Sequence, residues 1–134
     1  MNTILIVEDE AIYIRLFTAL LDRQAGLAVK HSENVEEVIE IAKSGQADAI
    51  LMDVCLPNSR YRGQVIDGVH ITKLLKSDPQ SAKIPVILVT ANEFVSDRGN
   101  LIEQSGADGY IAKPVTDYQQ FIADVLAQLP SKRG

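Results

Sequence analysis

Five short apolar runs, separated by longer stretches of helical periodicity, constrain this chain more than any other feature. TILIV (3–7), LAVKHS (27–32), AILMD (49–53), PVILVT (85–90) and GYIAK (109–113) predict five strands. Three of them are almost unbroken Val, Ile and Leu, so both faces must be covered, as in the strands of a parallel sheet. The intervening stretches supply the covers. Tyr13, Leu16, Phe17, Leu20 and Leu21 recur at three- to four-residue spacing and predict a helix over 10–24. Val35, Val38, Ile39 and Ala42 do the same over 34–44, with Glu36, Glu37 and Glu40 outside. Val69, Thr72 and Leu75 mark a third helix, and Leu101, Ile102 and Ser105 close a fourth. Phe121, Ile122, Val125 and Leu129 line a fifth helix over 117–129.

The punctuation agrees. Gly26, Gly45 and Gly106 follow helical patterns where a glycine terminator is favoured. Asn34 precedes a periodic run and has Glu37 three residues on, the signature of a reciprocal capping pair. A strand–helix alternation with short connections implies an α/β fold, an open parallel sheet with helices on both faces. Residues 1–129 read as one domain and 130–134, PSKRG, as a short tail.

Composition removes several function classes. A net charge of −5 disfavours a nucleic-acid surface, which needs clustered Lys and Arg. No apolar run is long enough to span a bilayer and no signal-like leader is visible, so no membrane partner is expected. The single cysteine, Cys55, excludes an internal disulfide and fits the cytoplasm.

Ligands of such sheets bind beyond the carboxyl ends of the strands. The first strand runs into Glu8–Asp9, the third ends in Asp53, the fourth in Thr90 and the fifth in Lys113. An isolated ionised carboxylate is costly to bury, so Asp53 at the end of an apolar strand needs a partner or a solvent edge. If these ends converge, three carboxylates share one pocket with one ammonium. Like charges about 4 Å apart repel by roughly 1 kcal/mol in water and ~4 kcal/mol at an effective dielectric of 20. One lysine does not offset three acids. A hard divalent cation does, and Mg²⁺ takes one or two carboxylates together with waters and phosphate oxygens. Asp53 then has the position of a nucleophile that forms an aspartyl-phosphate.

VEDE (7–10), LMDVCLP (51–57), VTA (89–91) and YIAKP (110–114), taken in order, resemble the receiver domain of two-component response regulators over essentially the whole chain. The resemblance implies a flavodoxin-like (βα)₅ doubly wound sheet of strand order 2-1-3-4-5. It implies that Glu8, Asp9 and Asp53 hold Mg²⁺, or Mn²⁺ in its place, with the Cys55 backbone carbonyl. Asp53 takes a phosphoryl group from a phosphohistidine of a sensor histidine kinase or histidine phosphotransfer protein. Thr90 is the switch hydroxyl, with Ala91 leaving it room. Lys113 pairs with the phosphoryl group, Tyr110 turns inward with the switch, and the Lys113–Pro114 bond is cis. The fourth helix, fifth strand and fifth helix then change surface and control a downstream protein. Such a chain is a regulatory phosphoprotein rather than an enzyme.

Several residues stand apart from that pattern. NSRYRGQVI separates Pro57 from Asp67–Gly68, a longer loop than the family pattern, and its Arg60 and Arg62 suit a partner contact on an acidic protein. Ile12 and Ile14 lie off the inward face of the first helix and suit docking of the phosphodonor. Asn92 occupies a position linked to dephosphorylation rate. His31 and His70 belong to no spaced ligand set. A phosphohydrolase reading fails because Cys55 stands where a second Asp would be needed, and a dinucleotide reading fails because EDE replaces the Gly-rich turn. A phosphorylation-independent scaffold and a receiver excised from a hybrid kinase remain the alternatives, and the Met1 start and brief tail favour a complete single-domain protein.

Overall fold

The computed structural model describes residues 2–56, 60–91 and 98–129. In chain order the elements are β1 (Thr3–Val7), α1 (Ala11–Thr18), a π-helical turn (Ala19–Gln24), β2 (Ala28–His31), α2 (Val35–Ser44) and β3 (Ala49–Asp53). A small hairpin of β4 (Arg60–Tyr61) and β5 (Gln64–Val65) follows, then α3 (Gly68–Lys76), β6 (Val86–Ala91), α4 (Arg98–Ser105), β7 (Gly109–Lys113) and α5 (Tyr118–Gln128). The main sheet is parallel throughout, in the order β2-β1-β3-β6-β7. Counting only its own five strands, that is the expected order 2-1-3-4-5.

Each inner strand divides its side chains between two cores, as a two-residue period requires. Leu5, Val7, Ile50, Met52, Val86 and Leu88 face α2 and α3. Ile4, Ile6, Ala49, Leu51, Ile87 and Val89 face α1 and α5, where Phe17 and Phe121 stack at 4.9 Å. Ile4, Leu5 and Ile6 are wholly buried, and each contributes about 1.5–3 kcal/mol relative to exposure. That double coverage is what drove the unbroken apolar runs.

The sequence reading needs correction at four places. β2 is shorter than 27–32 and only half covered, because it is an edge strand. The helix expected over 10–24 is α-helical to Thr18 and then widens, with the Ala25 amide reaching back five residues to the Leu20 carbonyl at 3.2 Å. Asn34 does cap α2, accepting the Glu37 amide at 2.9 Å, but the Glu37 carboxylate takes the Ser32 hydroxyl rather than the Asn34 amide. Ser32 Oγ meets that amide instead, at 3.1 Å. Finally, part of the long loop is ordered as the β4–β5 hairpin. Arg62 and Gly63 at its turn have φ of 53° and 83°, the left-handed pair of a tight hairpin turn. Tyr61 packs on the α2–α3 core with the Arg62 guanidinium 5.1 Å above its ring. Pro57, Asn58 and Asn92 lie outside the described residues. Among the described residues no helix is long and apolar enough to cross a membrane.

Candidate functional site

Strand register assembles the site. Val7 pairs with Met52, so Glu8 falls level with Asp53; Asp53 pairs with Val89, so Thr90 follows it; Ala91 pairs with Lys113. A further constraint comes from α3. Gly68 starts that helix hard against the end of β3, its amide donating to the Val54 carbonyl at 3.0 Å, and a Cβ there would collide with the Asp53 carbonyl. This is why the chain returns to Asp67–Gly68 after the hairpin.

The charged groups converge closely. Lys113 Nζ lies 3.0 Å from Glu8 Oε1, 3.5 Å from Asp53 Oδ2 and 3.7 Å from Glu10 Oε1, with the Tyr13 ring centroid at 4.3 Å. Glu8 is 1% exposed, Asp53 3% and Lys113 8%. The Glu8–Lys113 contact is ionic but poorly aligned, and Glu8 Oε1 is a buried oxygen with no hydrogen bond. Glu8 Oε2 accepts the Glu10 amide at 3.1 Å, and Asp53 Oδ1 accepts the Cys55 amide at 3.3 Å.

Burial, then the adjacent Glu8, push the Asp53 carboxyl up from 3.8 to about 7, against the opposing pull of Lys113 and the Cys55 amide. Burial pulls Lys113 down, but Glu8, Asp53 and Glu10 together more than reverse it, and the ammonium is held above its ordinary range. The Cys55 thiol, exposed at the mouth, is raised by desolvation and by Asp53 and Asp9.

Glu8, Asp9, Glu10 and Asp53 each bring a carboxylate oxygen within 4.8 Å of the others. Four acids against one lysine, with one buried oxygen held by an ion pair alone, fit an oxygen-preferring divalent cation.

Two participants were not anticipated. Glu10 belongs to the cluster, although the sequence reading stopped at Asp9; the acidic run was visible, but whether its third member entered the pocket depended on the start of α1. His31, set aside as a bystander, donates from Nε2 to the Glu8 carbonyl at 2.9 Å and so ties the tip of β2 to the acid loop. His70 pairs at 3.0 Å with the Asp67 carboxylate at the solvent-exposed start of α3.

Of the other expected residues, Thr90 is buried at the end of β6 and Tyr110 is half-buried on β7. Ala91 ends β6, but its side chain lies outside the described residues, as does that of Arg60. The Lys113–Pro114 bond is cis. Ile12 is 70% exposed while Ile14 is half-buried, which separates that pair. Arg62 is exposed on the hairpin. Along the open edge of β7, between α4 and α5, runs a groove of about 730 Å³ lined by Ile102, Tyr110, Phe121 and Asp124 among others.

Comparison with known proteins converges on one family. The model of the response regulator receiver domain matches residues 4–125. The polar-differentiation response regulator DivK of Brucella anthropi is 34% identical over 128 residues, covering 96% of each chain. The receiver domain of the sensor histidine kinase PA1611 from Pseudomonas aeruginosa, solved with magnesium in its active-site cleft, has a TM-score of 0.75. It is 28% identical and covers 95% of this chain and 96% of its own. The chemotaxis protein CheY4 of Vibrio cholerae shares the fold at a TM-score of 0.78 and 21% identity, covering 96% of this chain and 99% of its own.

Proposed function

This chain belongs to the response regulator receiver family, and from that premise we propose that Asp53 is its phosphoacceptor. The observation that carries the assignment is the position of Asp53. Its carboxylate sits at the carboxyl edge between Glu8 and Lys113, inside a cluster with a surplus of negative charge. We read residues 1–129 as the receiver unit and the cytoplasm as its place of work.

Mg²⁺, or Mn²⁺ in its place, would be held by Glu8, Asp9, Asp53 and the Cys55 carbonyl, and supplies the counter-charge that lets a phosphate approach. Asp53 attacks the phosphorus of a phosphohistidine on a sensor histidine kinase or a histidine phosphotransfer protein. The new O–P bond forms as the P–N bond breaks, and the imidazole, already protonated on its other ring nitrogen, leaves as the neutral base. Lys113 turns from the carboxylates to the new phosphoryl oxygens, and the Thr90 hydroxyl engages them from the next strand. The phosphorylated form then favours an arrangement in which Tyr110 turns inward, and the α4–β7–α5 surface presented to a downstream protein changes. Ala91 follows Thr90 in the chain, and a residue this small suits that movement. Ile12, exposed on α1, together with Ile14 on the same helix, suits docking of the phosphodonor. Arg62, exposed on the hairpin, suits a separate cationic partner contact, and Arg60 is carried to the same role from the sequence alone. Catalysis is confined to the protein's own phosphorylation and dephosphorylation.

Incubation with acetyl phosphate or beryllofluoride, with and without Mg²⁺, tests the reading. The expected result is a Mg²⁺-dependent ~80 Da adduct on the wild type, absent in Asp53→Asn, with amide shifts around Thr90 and Tyr110. No adduct and no shift with either reagent would leave a phosphorylation-independent scaffold as the function.

A further inference from the structure

We infer that Glu10 selects the phosphodonor: it holds Lys113 in its resting place and keeps a negative charge at the mouth of the pocket that disfavours small anionic donors. The inference rests on Asp53 being the phosphoacceptor. Glu10 is the cap residue of α1, and its carbonyl accepts the amides of Tyr13 and Ile14, each at 3.0 Å. A side chain at this position commonly bonds a free amide of the first turn, but that of Glu10 makes no such bond. Its carboxylate lies over the pocket instead, 3.7 Å from Lys113 Nζ, and remains 56% exposed. Tyr13, one turn further on, presents its ring to the same ammonium at 4.3 Å. Lys113 is thus flanked by Glu8 and Asp53 in the pocket and, at its mouth, by the cap residue of α1 and a residue of its first turn.

A phosphoryl group bound for Asp53 carries nearly two negative charges. It must enter past Glu10, and it must draw Lys113 away from its carboxylate neighbours. Glu10 opposes both steps. A small donor such as acetyl phosphate brings nothing to offset that charge. A protein donor docked on Ile12, which lies between Glu10 and Tyr13 in the same turn, meets Glu10 directly and draws it off the lysine. The arrangement therefore favours transfer from a docked protein over labelling by free metabolites.

The test compares wild type, Glu10→Gln and Glu10→Asp with two donors of different charge, acetyl phosphate and the less negative phosphoramidate. Labelling is followed by intact mass at saturating Mg²⁺, and Mg²⁺ affinity is measured separately by calorimetry so that metal loss is not mistaken for donor discrimination. Glu10→Gln should speed labelling by limiting acetyl phosphate about fivefold, through a lower half-saturation concentration, as expected for a partly screened charge. The gain with phosphoramidate should be less than about twofold on the same grounds. Both gains should vanish near 1 M salt, where the screening length falls to ~3 Å, and Glu10→Asp should stay near wild type. An unchanged or slower rate, or an equal gain with both donors, overturns the inference. A wild type that neither donor labels overturns the phosphoacceptor reading with it, whereas a labelled wild type with donor-independent Glu10→Gln overturns this inference alone.

Discussion

At the amino-terminal edge of the sheet, Asp48 accepts the Thr3 amide at 2.7 Å, and Asp108 accepts both the Val86 amide at 2.9 Å and the Lys76 ammonium at 2.8 Å. Lys76 fills its remaining valences with the carbonyls of Ala82 and Ile84. At the carboxyl edge, four acids crowd together, Glu8 Oε1 is buried without a hydrogen bond, and Lys113 faces three carboxylates. The residue types are the same. Acids at both edges accept backbone amides, so crowding makes the difference. At the amino edge each acid stands apart on a strand's first N–H, a donor the fold must satisfy in any case, whereas at the carboxyl edge four acids share one lysine. One edge closes the structure, and the other holds charge in surplus for something that binds.

The largest effect should come from Asp53→Asn, which removes the proposed phosphoacceptor and should abolish the adduct completely. The same variant should show what the surplus costs. With a folded value of about 7 against 3.8 in the unfolded chain, Asp53 is neutral in both states only at pH well below 3.8. Between these values the unfolded chain gives up its proton first, so stability falls as pH rises through that window. Without divalent cations, urea unfolding should show a loss on the order of 2 kcal/mol from pH 4 to 8, and Asp53→Asn should remove most of it. Mg²⁺ at a hundredfold excess over its dissociation constant should restore about 2.7 kcal/mol to the wild type and far less to the variant.

Gly68→Ala should come next, costing about 3 kcal/mol in denaturant unfolding. It should also slow Asp53 labelling, since the added methyl collides with the carbonyl of the labelled residue. Lys76→Met, at the other edge, should cost about 2 kcal/mol and leave the labelling rate within about twofold of wild type, an order-of-magnitude bound for a substitution this far from the pocket. A large labelling defect in Lys76→Met would erase the distinction between the edges. The smallest effect should be that of Arg62→Ala, about 0.5 kcal/mol or less for an exposed cation–π contact, read as a slight fall in Tm.

Most of the fold was legible because burial on two faces leaves a strong mark. TILIV and AILMD could be little other than inner strands, and their ends located Glu8, Asp9 and Asp53 without reference to any relative. Features decided by one or two hydrogen bonds were not legible. The π turn over Ala19–Gln24 carries the same apolar spacing as an α-helix, and the two-residue strands of the hairpin are too short to show alternation. Glu37 looked like the partner of Asn34, yet the choice went to Ser32, a residue on the far side of the turn. Glu10 and His31 were missed for a related reason: each acts across the sheet edge, Glu10 because of where α1 starts and His31 because of the β1–β2 register.

Cys55 has a practical consequence. It is the chain's only cysteine, it is exposed, and it stands two residues from Asp53 in a protein with no tryptophan. Its thiol is raised by burial and by the carboxylates of Asp53 and Asp9, so its rate of alkylation is a direct gauge of the local field. Neutralising those acids with a cation should quicken the reaction with iodoacetamide at fixed pH, and a single labelled sulfur gives one unambiguous mass shift. The molecule thus contains its own voltmeter, wired to the pocket it would be used to read.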